Sequence, residues 1–220
     1  MCTFWVVECE NDCAGVVQLL LDLKADVDAL DKHGYTPLCV AATSGNTKVI
    51  DVLHRNGANI NHVAYNDDTA IYLSARKGNK EIVRKLAALG ARPTVKNFED
   101  IAEWGSTQLL DILKSADVDF TIRDSDNISI LHLAALTANT PVVAWLLNNS
   151  SLDIDTEDFI GSTALHYAIS TGSLPLVRTL VKHGANVNAK DIFDATPLYF
   201  AFYWKRLNVA KYLLSKGAKI

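Results

Sequence analysis

The sequence predicts an all-α solenoid of stacked units, each a turn followed by two short helices, and three observations carry that expectation. The stretch Asp31–Asn61 reads as a turn followed by two short helices. The same unit recurs at a spacing of 33 residues. Each copy is too small to bury its own apolar face, so the copies must stack on one another.

In the template stretch, Thr36 suits an N-cap and Pro37 the first helical position, where its missing N–H costs nothing. Leu38, Ala41 and Ala42 then share one face, and the small alanines let another helix approach closely. Gly45 ends that helix. Val49, Val52 and Leu53 line a second one, and Gly57 suits its left-handed C-cap.

Shifted by 33, Thr36 becomes Thr69, Ala42 becomes Ala75, Gly45 becomes Gly78, Leu53 becomes Leu86 and Gly57 becomes Gly90. The same shift carries Thr163 to Thr196, Ala168 to Ala201, Leu180 to Leu213 and Gly184 to Gly217. The Thr-Pro-Leu-His-like core returns at Leu131-His132, Leu165-His166 and Thr196-Pro197-Leu198-Tyr199, with Gly-Ala-Asn turns at Gly57 and Gly184. On these residues the chain resembles the ankyrin-repeat family from end to end. The resemblance implies a curved solenoid of paired antiparallel helices with β-hairpin fingers, the inner helices lining a concave groove. It also implies one repeat domain over 1–220.

About seven units are expected, at 3–28, 31–61, 64–94, 95–119, 124–155, 158–188 and 191–220. The first lacks a finger, places Trp5 where the template has Leu38, and is made polar by Glu8, Glu10 and Asp12, as a cap should be. The fourth is degenerate: Leu86 to Leu113 is 27 residues instead of 33, and aligning Ala42 with Ala102 puts the deficit between Thr94 and Lys96. It is expected to keep both helices and lose its finger. The fifth carries one extra residue near Asn149-Ser150-Ser151. No polar capping repeat follows Gly217-Ala218, so either the chain is cut from something longer or Lys205, Arg206, Lys211 and Lys216 let the last unit serve as cap.

The chain is 49% hydrophobic and 21% charged with a formal net charge of -4, so no basic field points to nucleic acid or an anionic membrane. Phe4–Val7 is apolar but has no basic residues before it and Glu8 after it, which fits neither a signal peptide nor a membrane span and points to the cytosol. The four cysteines form no C-x-x-C pair and read as small buried thiols, not as a metal or disulfide framework. Phosphate-binding glycine loops, the H-E-x-x-H pattern and the G-x-S-x-G elbow are absent. Cys39 or Cys13 with His33 is the one conceivable nucleophile pair, and nothing in the sequence fixes its geometry. His132 and His166 read as structural, bonding within their own turns. No enzyme, metal or cofactor is expected.

Function should sit where packing leaves the sequence free: in the family, the finger residues after the Asp and the two residues after Ala-Ala. In the last two units these are Phe159, Ile160, Ile192, Phe193, Tyr203 and Trp204, expected to converge on one apolar surface of the kind that binds partners. Earlier units supply Tyr35, Tyr65 and a local cation cluster of Lys32, Arg76 and Lys77, which would suit an acidic partner. The expectation is a monomeric, non-catalytic scaffold that holds a protein or peptide with apolar anchors. The alternative is the targeting arm of a larger protein, such as a multidomain enzyme or a secreted bacterial effector acting in a host cytosol. Asn61 and Asn188 resemble asparagines that are hydroxylated in some family members, although the same residues also hold the turn.

Overall fold

The computed structural model describes residues 13–105 and 107–219. Trp5 and the acidic residues expected to cap the first unit lie outside them. Among the described residues there are thirteen helices and no strand. The first described helix, α1 (Ala14–Asp22), is followed by the pairs α2 (Pro37–Ser44) with α3 (Thr47–Arg55) and α4 (Ala70–Arg76) with α5 (Lys80–Ala88). Next come α6 (Val95–Trp104) with α7 (Thr107–Lys114) and α8 (Ile130–Leu136) with α9 (Thr140–Asn149). The last pairs are α10 (Ala164–Thr171) with α11 (Leu174–Lys182) and α12 (Pro197–Tyr203) with α13 (Leu207–Ser215).

The chain forms two compact units. Unit 1 holds the described residues up to Asn97 together with Gln108–Asp119; unit 2 holds Phe98–Thr107 and the described residues from Phe120 onward. In unit 1, inner helix α2 packs on α4 and outer helix α1 on α3. In unit 2, α8, α10 and α12 pack in succession, as do α9, α11 and α13. The apolar positions chosen by the repeat pattern form the cores: Leu38, Ala41, Ala42, Val49 and Leu53 in unit 1, and Leu131, Ala134, Ala135, Leu165, Ala168, Leu180, Leu198 and Leu213 in unit 2, are all fully buried.

Local chemistry explains the helix ends. Thr36, Thr69 and Thr196 accept the backbone N–H three residues on, as N-caps do. Gly45 and Gly172 end α2 and α10 in the left-handed conformation at φ 85° and 73°, which only glycine adopts without steric cost.

The fingers are short, tight hairpins with minimal strand pairing. Among the described residues only two isolated antiparallel bridges occur, Val63 with Thr69 and Arg123 with Ser129. A backbone bond closes each turn, Asp31 N–H to Tyr35 O and its counterparts at Ala64, Asp124, Asp158 and Asp191, and where the first residue is Asp its carboxylate braces the loop. Asp31 Oδ1 accepts the N–H groups of His33 and Tyr35, and Asp124, Asp158 and Asp191 repeat the arrangement. Successive fingers are tied through the backbone: Tyr65 N–H donates to His33 O, Phe159 N–H to Asp126 O and Ile192 N–H to Ile160 O.

The fourth repeat keeps both helices and lacks its finger, with a register that refines the sequence alignment. Thr94 and Asn97 bond reciprocally across the start of α6: Thr94 Oγ1 accepts Asn97 N–H at 3.1 Å and Asn97 Oδ1 accepts Thr94 N–H at 3.0 Å. Thr94 is therefore the counterpart of Thr69, only 25 residues later. Eight residues are missing before the helix, and α6, with 10 residues against 8 in α2, regains two. Asn97 is fully buried. It also accepts from Thr69 Oγ1 and donates to Asp67 O, filling the place where a finger would otherwise bond.

Candidate functional site

The sequence-selected residues of unit 2 are all solvent-facing. Phe159 is 77% exposed, Phe193 74%, and Ile192 and Tyr203 both 63%, with Ile160 and Trp204 somewhat less open. The turn chemistry puts them there. Because Asp158 and Asp191 draw the backbone N–H groups inward, the residues at the fingertip project outward. The structure brings Ile160 and Ile192 together through the finger bond of 2.9 Å. It brings Tyr203 and Trp204 together edge to face at 5.1 Å, with Tyr199 stacked on Tyr203 at 6.3 Å. Among the described residues no ring contact or hydrogen bond joins the fingertips to Tyr203 or Trp204.

Tyr199 and Phe202 also belong to this apolar surface, and sequence reasoning missed them. Their counterparts one repeat earlier, His166 and Ile169, are buried under α12, whereas Tyr199 and Phe202 are about half exposed. The signal was present as a run of five aromatic residues, Tyr199-Phe200 and Phe202-Tyr203-Trp204, where no earlier inner helix in Pro37–Ser44, Ala70–Arg76, Ile130–Leu136 or Ala164–Thr171 has more than one Phe, Tyr or Trp.

In unit 1, Tyr65 is 73% exposed and lies over the second finger, where a Cβ on Gly34 would sit 2.7 Å from its ring. Tyr35 is half-buried. Its hydroxyl donates to Asp68 Oδ2 and accepts from Asn66 Nδ2; burial, together with the Asp68 charge, pushes its pKa up, so it remains a donor. Asp68, buried and without an Asp at position 64 to share the finger, also pairs with Arg76 at 3.6 Å. Arg76 sits over the Tyr72 ring. Of the expected cations Lys32, Arg76 and Lys77, Arg76 is paired with a buried carboxylate while its side chain stays more than half exposed. Arg76 and Lys77 line an open 320 Å³ pocket with Asp31, Tyr35, Thr43 and Leu73.

His132 and His166 are held as neutral rings. Ser129 N–H donates to His132 Nδ1 at 3.1 Å, which leaves the proton on Nε2 to reach Thr156 O and Ser162 O of the next repeat. The contacts thus run within the turn, as expected, and also across to the following repeat. Thr163 N–H donates to His166 Nδ1 in the same way, but His166 Nε2 finds no partner of good geometry near the equivalent carbonyls of Ala189 and Ala195. Burial lowers both pKa values. Cys39 is buried, accepts from Thr36 Oγ1, and has its thiol pKa raised by burial; that environment disfavours the thiolate a nucleophile needs. Among the described residues no group of three or more His, Cys, Asp or Glu could hold a metal, and no helix is long and apolar enough to cross a membrane.

Asn61 and Asn188 each bridge to the next repeat. Asn61 takes Arg92 N–H and donates to Gly90 O; Asn188 does the same with Lys219 and Gly217.

Comparison with known proteins agrees with this geometry. The family described as Ankyrin repeats (3 copies) matches residues 4–97 and 100–191. The chain is 29% identical over 179 residues to a protein named L-asparaginase from Dirofilaria immitis, covering 78% of this chain and 30% of that one. It is 25% identical over 192 residues to inversin from Canis lupus familiaris, covering 87% and 15% respectively. This chain therefore spans less than a third of the length of either relative. The crystal structure of the human ASB11 ankyrin repeat domain superposes with a TM-score of 0.67 at 18% identity, covering 99% of both chains. Matched by one family over most of its length and sharing that family's repeat geometry, the chain belongs to the ankyrin-repeat family.

Proposed function

We propose that the chain is a non-catalytic scaffold that binds a protein or peptide partner along the finger and inner-helix surface of its last two repeats, acting as one module over 1–220. Ankyrin repeats generally mediate protein–protein interaction, which supports the class. The observation that carries the location is the outward projection of Phe159, Ile192 and Phe193 from turns braced by Asp158 and Asp191, and of Tyr203 from the end of α12. Such rigid aromatic anchors lose little entropy on binding and are favoured hot-spot residues. Packing within the repeats leaves these side chains unused.

The reading includes a monomeric state, a cytosolic setting, and no nucleic-acid partner, in line with the net charge of -4. Hydrogen–deuterium exchange on the partner complex tests the location. Protection is expected at residues 159–162, 192–195 and 199–204. Protection confined to the outer helices α9, α11 and α13 would overturn it.

A second reading is favoured by one finding: the segments matched in the relatives make up only 30% and 15% of their lengths. The repeats then serve as the targeting arm of a longer polypeptide. The length of the natural open reading frame decides it.

A further inference from the structure

We infer that the finger face of unit 2 selects a partner segment in which a basic side chain is flanked by apolar ones, an inference that rests on the binding surface proposed above. Phe159 N–H donates to Asp126 O at 2.8 Å, which sets the apolar tip of the sixth finger beside the acidic tip of the fifth. Behind them Asp158 Oδ2 accepts the Tyr167 hydroxyl at 2.7 Å, while its other oxygen holds the N–H groups of Ile160 and Ser162. Asp124 uses one oxygen for the N–H groups of Asp126 and Ile128.

Asp158 therefore holds the Tyr167 hydroxyl directly, with the fifth finger's Asp126 tied by its backbone to the neighbouring Phe159. Burial raises the Tyr167 pKa first, and Asp158, Asp124 and Asp126 all raise it further. Among the described residues no ion pair offsets these three charges. The nearby Arg123 directs its guanidinium to Asn127 Oδ1 and Thr156 Oγ1, not to a carboxylate. A partner seated on Phe159, Ile160, Ile192 and Phe193 thus meets the exposed Asp126, with Asp124 and Asp158 behind it, at the edge of the apolar surface. A basic side chain there is attracted and an acidic or phosphorylated one repelled, so charge sets the choice of partner while the apolar contacts hold it.

The test is selection of short linear peptides from a random display library on the full chain, followed by fluorescence anisotropy of the enriched peptides. Two variants serve as controls. Asp124→Asn/Asp126→Asn keeps an oxygen for the turn bonds and removes the charge. Phe193→Ala/Trp204→Ala removes the anchors. The expected result is enrichment of lysine or arginine between apolar residues. Binding should weaken about tenfold in the Asp→Asn variant at low ionic strength, with a smaller effect at high salt. Apolar peptides without basic bias, weakened only by Phe193→Ala/Trp204→Ala, would overturn the charge inference and leave the binding surface standing. Peptides indifferent to both variants, or no enrichment at all, would overturn both.

Discussion

At the residue scale, the repeated positions act through hydrogen bonds that are explicit in the geometry. His132 accepts a backbone N–H with one nitrogen and donates across to the next repeat with the other, so the ring must be neutral. Burial lowers the pKa of His132 and His166 from the ordinary value of 6.5. Between that value and the lower folded-state pKa, the unfolded chain binds more protons than the folded one. Stability should therefore fall as pH drops below about 6.5 and be indifferent to these rings above it. Urea midpoints measured across that range check this. The His132→Asn/His166→Asn chain should show a flatter profile, since Asn97 performs the same N–H acceptance in the fourth repeat without titrating.

The left-handed helix ends make a second residue-scale prediction. Ala138 and Asp117 hold φ of 56° and 52° at positions where other repeats place glycine. Ala138→Gly and Asp117→Gly should each raise stability by about 0.5–1 kcal/mol, because the strain relieved exceeds the entropy cost. Thermal unfolding of each single variant measures it. The roles of Thr36, Gly45, Leu53 and His132 were legible in the sequence because each has a fixed offset in the repeat. The reach of His132 to Thr156 and Ser162 was not, since it depends on how the next repeat docks.

At the element scale, the fourth repeat shows how a stack tolerates a deletion. Its finger is absent, and Asn97 takes over the bonds to Thr69 and Asp67. Beside it, within unit 2, Phe98, Phe120 and Trp145 form a buried chain of aromatic contacts at 5.8 and 5.6 Å. Phe120 fills with a large ring the place of Ile60, seven residues after the equivalent leucine. Removing the amide by Asn97→Ala should cost about 2 kcal/mol or more, because it leaves buried backbone and hydroxyl groups without partners. Chemical denaturation would show this as a lowered midpoint. An unchanged midpoint would mean that water replaces the amide at no cost. The spacing of Leu86 and Leu113 revealed the missing finger. The two residues regained in α6 were invisible to it, because a deletion and an insertion in one unit appear only as their difference.

At the scale of the whole molecule, what the repeats share builds the stack, and in the last two repeats the apolar residues that distinguish them face solvent. The scaffold was readable throughout because stacking imposes one small vocabulary on every copy. The proposed partner surface was reached only by subtraction: Phe159, Phe193, Tyr203 and Trp204 stood out as residues that packing does not require, and all four face solvent. Tyr35 and Arg76 passed the same filter, yet the structure ties both to Asp68. Subtraction cannot see a side-chain bond that does not recur from repeat to repeat, and here Ala64 in place of the finger Asp sets the bonds to Asp68 apart. Tyr199 failed the filter in the opposite sense, since its position is buried in the preceding repeats.

This division into scaffold and surface is tested most directly by one paired measurement: partner affinity and unfolding temperature for Phe193→Ala/Trp204→Ala beside His166→Ala. The account predicts that the aromatic double variant loses about 2 kcal/mol or more of binding while unfolding as the parent does. His166→Ala should lose stability, and at temperatures where it stays folded should bind as the parent does. Intact binding in the double variant, or an equal loss of stability in both, would contradict it.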